Sequence, residues 1–296
     1  MFFLTPQSFI FFSIYVLFIF LILCSDTFFI FWSLMEIRTL VFMGIRYSLF
    51  KNNFSQLLTF FIIQTISAFS VLVFYVMGWS LAFTFSLILK LSMFPFHFWY
   101  LNLIPFFPNL VLFISRTVFK IPSMLLLLFF YSNLNLTSLM ISVVLTIFVG
   151  AMAMIFRNDL RFLLIASSVA NNSWFILSIL AGFLIFSLYL FFYSALLFLV
   201  LVSLGRLRSG SLYKLSFSSS SLILFSLVSM AGMPPFPVFF IKMCSVIALS
   251  SLFLGSRLYI FFIMLFSVFM LLGYLKFCFS LIINVFTNQQ SFIFSY

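Results

Sequence analysis

Leu89-Lys90-Leu91-Ser92-Met93-Phe94-Pro95-Phe96-His97-Phe98-Trp99 places a lysine, and shortly after it a proline, inside an apolar run that extends from about residue 80 to 104. Hydrocarbon accepts an ammonium only at a cost of roughly 2.5–3.5 kcal/mol on insertion scales. Pro95 removes a backbone donor that an unbroken helix needs. Interrupted backbone survives at membrane depth only where protein or a wet cavity satisfies the freed groups. The stretch therefore reads as a broken membrane helix carrying a charge in its interior.

The rest of the chain has the same character. It is 66% hydrophobic and 6% charged over 296 residues, with a mean hydropathy of +1.37. Ordinary globular chains run about 45–50% apolar and about 25% charged, so the solvent of this chain is lipid. Stops at Cys24-Ser25-Asp26, Lys51-Asn52-Asn53, Met77-Gly78, Asn133-Leu134-Asn135, Arg157-Asn158-Asp159, Gly182 and Arg206 through Lys214 divide it into ten spans. These are roughly 9–24, 27–48, 54–77, 80–104, 109–131, 134–156, 160–181, 183–204, 216–252 and 257–278. The expected fold is an all-α polytopic membrane protein of about ten transmembrane helices. It forms a single transmembrane domain over 1–296, with a first half of about 1–133, a second of about 134–278 and a tail at 279–296.

The basic residues support this division. Loops after even-numbered spans, with the C-terminal end, hold Arg46, Lys51, Arg157, Arg161, Arg206, Arg208, Lys214 and Lys276; those after odd-numbered spans hold Arg257. That asymmetry puts both termini on the inner side by the positive-inside rule. A second interrupted span follows at Gly232-Met233-Pro234-Pro235-Phe236-Pro237, with Lys242 beyond it. It lies five spans after the first and so runs in the opposite direction, which points to an inverted five-helix repeat. The register is imperfect, because the lysine precedes the break in one half and follows it in the other.

Depth singles out four ionisable groups. At about 1.5 Å per residue, Glu36 lies about 13 Å, Lys90 about 15 Å and Lys120 about 16 Å into their spans, near the midplane of a ~30 Å core. Lys242 lies in the second half of its broken span. One acid cannot neutralise three lysines, so at least one lysine is neutral, hydrated or paired with another subunit. Desolvation and neighbouring positive charge both disfavour an ammonium, which equips a buried lysine to take up and release protons. Static ion pairing between helices is the structural alternative. Arg38, two residues after Glu36, points to a different helix face and meets another partner; Arg116, four before Lys120, shares its face and repels it. His97 is either a polar cap on the backbone or a proton relay. Asp159, between Arg157 and Arg161, belongs to loop electrostatics.

Several function classes are excluded. The net charge of +11 is scattered between spans and forms no stripe, so no nucleic-acid surface is expected. Cys24, Cys244 and Cys278 are isolated, which argues for packing over metal or redox chemistry. No glycine-rich nucleotide loop or His/Glu metal spacing is present, so no cofactor is expected in this chain. Met1 to Phe12 has no basic n-region or Arg-rich stretch, so neither a signal nor a transit peptide is expected. The 52 phenylalanines fit a thymine-rich organellar gene.

With these residues in view, the chain resembles the antiporter-like membrane subunits of mitochondrial NADH dehydrogenase (respiratory complex I), the subunit 2 family in particular. The resemblance rests on Trp32-Ser33-Leu34-Met35-Glu36, the stretch Leu89 to Trp99, Lys120-Ile121-Pro122, Leu160 to Ser168 with Trp174, and Gly232-Met233-Pro234-Pro235-Phe236 through Lys242. It implies an inverted five-helix repeat and a proton-translocating chain that falls residue by residue on Glu36, Lys90, Lys120 and Lys242. It also implies subunits 4L and 4 as neighbours in the mitochondrial inner membrane, with FMN, iron–sulfur clusters and ubiquinone handled by other subunits. Asn171 stands where the family commonly has a histidine, and Arg38 and Arg116 where it usually has uncharged residues. A stand-alone cation/proton antiporter and a structural membrane scaffold are the rival functions, and the paralogous subunits 4 and 5 are expected to be longer.

Overall fold

A computed structural model of the chain describes residues 6–25, 27–49, 54–157, 159–205, 217–234, 236–252 and 256–293. Asp26, Lys51-Asn52-Asn53, Asn158, Arg206 through Lys214 and Pro235, where the sequence places span boundaries or part of the second break, lie outside the described residues. The described residues are helical, joined by short turns. Seven helical stretches among them are long and apolar enough to cross a bilayer, and shorter apolar helices supply the remaining spans.

The helices follow the expected division closely. α1 (Pro6–Leu23), α2 (Phe28–Leu49) and α3 (Phe54–Met77) are the first three spans. The fourth is split into α4 (Ser80–Lys90) and α5 (Phe98–Leu103), and the fifth into α6 (Asn109–Arg116) and α7 (Ile121–Phe129). α8 (Leu136–Phe156), α9 (Leu160–Ala181) and α10 (Phe183–Gly205) are unbroken; α11 (Phe217–Ala231) and α12 (Pro237–Leu252) share the ninth span. α13 (Ser256–Ile293) continues well past Lys276, so the tenth span and most of the tail form one helix.

The chain packs as two compact units, Phe2–Ser142 and Val143–Tyr296. In the first, α1 and α3 flank α2, and aromatic rings fill the interior: Phe60 touches Phe42, Trp99, Phe107 and Phe119. In the second, α9 is buried along nearly its whole length, including Ser167, Ser168, Asn171, Asn172 and Ser173. Small residues let helices approach closely in lipid, where packing replaces the hydrophobic drive between them. A Cβ on Gly150 of α8 would lie 2.8 Å from the Cβ of Ala170, so the two helices touch through the space that Gly150 leaves. Large apolar side chains such as Phe191, Phe261 and Ile283 face outward, the inverse of a water-soluble domain and the arrangement lipid requires.

The break in span four is made differently from the proline break expected at Pro95. Met93 N–H bonds to the Ile88 carbonyl at 3.0 Å and Ser92 N–H to Leu89 at 3.1 Å, while Ser92 takes φ 55. This is a Schellman stop with serine in the left-handed position that glycine usually fills. The helix has ended before the chain reaches Pro95, which lies in the turn that follows.

Candidate proton-handling site

Each candidate lysine sits at or beside a helix interruption, and all three are buried: Lys90 is 7%, Lys120 6% and Lys242 7% exposed. Lys90 is the last residue of α4. There the carbonyl end of the helix dipole favours a cation. Its Nζ lies 3.5 Å from Glu36 Oε1 on α2. That is an ion pair, but longer than the 2.7–2.9 Å of a tight charge-assisted hydrogen bond, so the two groups attract without being locked. The glutamate is half-buried, its side chain 19% exposed, which leaves the pair one partly open end.

Lys120 lies on an interruption that the sequence reading did not anticipate. Between α6 and α7 the backbone departs from helix at Thr117 (φ −113, ψ −80), and Val118–Lys120 form a 3₁₀ turn. Pro122 is the signal that was available. It occupies the first turn of α7, a position proline favours because no donor is needed there. The Lys120 ammonium stands 5.1 Å from the centre of the Tyr100 ring. Arg116, four residues earlier, is fully buried at the end of α6. Among the described residues no hydrogen-bond partner is found for Nε, Nη1 or Nη2 of Arg116.

Lys242 resolves the imperfect register between the two broken spans. It belongs to α12, but its Nζ reaches back to donate to the carbonyl of Ala231, the last residue of α11, at 3.3 Å. In both broken spans a lysine is therefore tied to the carbonyl end of the first half-helix, Lys90 as its last residue and Lys242 through its bond to Ala231 across the break. Gly232, at φ +81, makes the turn and leaves the space that the lysine fills. Trp174 of α9 faces the amine at 5.1 Å. A cavity of about 440 Å³, lined by Trp174, Gly232, Lys242 and apolar side chains of α13 including Met264 and Val268, opens beside it.

Three comparisons place this geometry. No family model matches the chain. The NADH-ubiquinone oxidoreductase chain 2 of Artemia franciscana is 30% identical over 224 residues, covering 72% of this chain and 71% of that protein. The chain belongs to the NADH-ubiquinone oxidoreductase chain 2 family. The family member of Rhipicephalus sanguineus is 28% identical over 236 residues, covering 76% of this chain and 74% of its own length. The fold is shared with a chain of respiratory complex I from Thermus thermophilus solved with bound aureothin, at a TM-score of 0.80 and 17% identity, covering 94% of this chain and 71% of that one. The all-α, polytopic, antiporter-like class expected from the sequence is thus the observed one.

Against the family background, the chain's unusual residues acquire places. Asn171, where the resemblance expects a histidine, is buried and accepts the Tyr189 hydroxyl on Oδ1 at 3.0 Å. His97 is buried, its ring centre 4.0 Å from that of Phe98, and its Nδ1 has no hydrogen-bond partner among the described residues. Arg38 meets a partner that sequence spacing could not name: Nη1 and Nη2 donate to the carbonyls of Val118 and Phe119, at 3.2 and 2.6 Å. Among the described residues no cluster of His, Cys, Asp or Glu could hold a metal.

Proposed function

We propose that this chain is a proton-translocating membrane-arm subunit of NADH:ubiquinone oxidoreductase in the mitochondrial inner membrane, and that Glu36, Lys90, Lys120 and Lys242 carry the protons. The observation that carries this reading is the placement of three buried lysines on three helix interruptions, with one loosely paired glutamate among them. A static brace is better served by tight pairs or by apolar packing, since a buried ion pair is often no more stabilising than well-packed hydrophobic residues. A loose pair with a partly exposed carboxylate suits a group that must separate and re-form.

In this reading Glu36 and Lys90 are held together in the resting state. A charge or conformational change from a neighbouring subunit loosens the pair, and the proton released there moves through Lys120 towards Lys242. Interruptions at the lysines supply polar backbone where a continuous helix would offer none. Redox chemistry belongs to other subunits of the complex, and subunits 4L and 4 are the neighbours proposed for this one. Family membership supports the assignment to the complex; burial and helix-end placement support the roles of the residues.

The test is the whole complex carrying Lys90→Met, reconstituted in liposomes. NADH-driven proton translocation and coupled NADH oxidation should both be lost while the assembled complex is retained. Wild-type coupling in that variant would reject the role of Lys90.

A further inference from the structure

Arg38 is a buried guanidinium in a membrane helix, 2% exposed, and its strongest contacts are to backbone rather than to a carboxylate. Its Nη2 donates to the Phe119 carbonyl at 2.6 Å and its Nη1 to Val118 at 3.2 Å. The rings of Tyr15 and Phe119 lie 5.3 and 5.0 Å from its central carbon. The two carbonyls belong to the 3₁₀ turn that ends at Lys120. For the Val118 carbonyl, availability to a side chain has a local cause. In a continuous helix the Val118 carbonyl would accept the N–H of residue 122, and proline has none. Ile121 N–H takes one lone pair of Val118 in a 3₁₀ bond, and Arg38 takes another. A planar guanidinium can bridge two adjacent acceptors in a fixed orientation, which an ammonium cannot.

Arg38 also stands two residues from Glu36 on α2. Two residues turn a helix through about 200°, so the helix presents Glu36 to Lys90 on one side and Arg38 to the Lys120 turn on the other. A shift of α2 that parts Glu36 from Lys90 must move the support of the Lys120 turn with it.

We propose that Arg38 is a positioning residue: by holding the Val118 and Phe119 carbonyls it ties the turn bearing Lys120 to the helix bearing Glu36, so that the Glu36–Lys90 pair and Lys120 move as a mechanically linked set. The inference rests on the proton-handling reading of Lys120 and extends it to a residue that touches no proton. It acts on backbone carbonyls of an interrupted helix through charge-assisted bonds, which are roughly twice as strong as neutral ones.

The experiment measures the initial rate of NADH-driven proton translocation per assembled complex in liposomes for Arg38→Met, Pro122→Ala, the double variant and Lys120→Met. A purely structural Arg38 would lower the amount of complex and leave the rate per complex unchanged. The expected result is a fall of at least about tenfold for Arg38→Met, the size of one charge-assisted hydrogen bond where two are lost. Pro122→Ala restores an N–H that competes for the Val118 carbonyl, so it acts on the same turn, and the double variant should be no slower than the slower single one. A wild-type rate for Arg38→Met, or losses that multiply in the double variant, overturns the proposal. If Arg38→Met does not assemble, Arg38→Lys decides: it keeps the charge and loses the two-carbonyl bridge, so a reduced rate supports positioning and a wild-type rate overturns it. A wild-type rate for Lys120→Met strikes the proton reading itself. A slow Lys120→Met beside a normal Arg38→Met strikes the positioning role alone.

Discussion

Replacing Gly232 with alanine tests the Lys242 site through geometry alone. The residue sits at φ +81, and a Cβ there would meet Lys242 Nζ at 3.2 Å, Cδ at 3.3 Å and Cε at 3.5 Å. The backbone conformation costs an alanine roughly 1–2 kcal/mol. The side-chain cost falls on the lysine, which must retreat by a few tenths of an ångström. Its bond to the Ala231 carbonyl already measures 3.3 Å, and at about 3.6 Å such a contact is no longer a hydrogen bond. The adjoining cavity gives the amine somewhere to go. Gly78 supplies the control, with φ +71 and nothing within 4 Å of its Cβ position. Both alanine variants should lose about 1–2 kcal/mol of stability, read as thermal unfolding of the assembled complex. Only Gly232→Ala should also slow proton translocation, by about tenfold for the loss of a charged hydrogen bond. Equal translocation rates in the two variants would refute the reasoning.

Three further outcomes are expected. Glu36→Gln leaves the Lys90 amine without its carboxylate and should abolish translocation at some cost in thermal stability. Glu36→Gln with Lys90→Met should regain much of that stability, because removing both members of a buried pair is far cheaper than removing one, yet should not regain translocation. Ser92→Gly should be tolerated or slightly stabilising, whereas Ser92→Val forces a β-branched residue into the left-handed region and should lower stability by roughly 1–3 kcal/mol in a thermal melt. Gly150→Leu should disrupt the contact of α8 with Ala170 on α9 and reduce the yield of assembled complex, since overpacking by a side chain costs roughly 1–3 kcal/mol or more.

The spans were legible because lipid imposes a simple rule on composition. Runs interrupted at Gly78, Gly182 and Asn133 end where the helices end, and the two lysine-bearing breaks fall in the two spans expected to carry them. The burial of Lys90 and Lys120 also followed from their depth. What escaped the sequence was side-chain reach. Nothing local says that Lys242 folds back across eleven residues to Ala231, or that Arg38 finds its acceptors some eighty residues away. The stop at Ser92 was obscured because serine occupies a position whose usual signal is glycine, and Pro95 nearby offered a more familiar cause. The interruption at Thr117 was overlooked because Pro122 lies past the break, at a helix start, and its neighbours read as an unbroken apolar run.

The central claim is that buried amines move protons and do not merely hold helices together. The most direct measurement is the rate of NADH-driven proton translocation per assembled complex after Lys120→Met and Lys242→Met, each replacing the amine with an apolar side chain of similar volume. The account predicts that both variants assemble and both lose translocation. Assembled complexes pumping at the wild-type rate would contradict it.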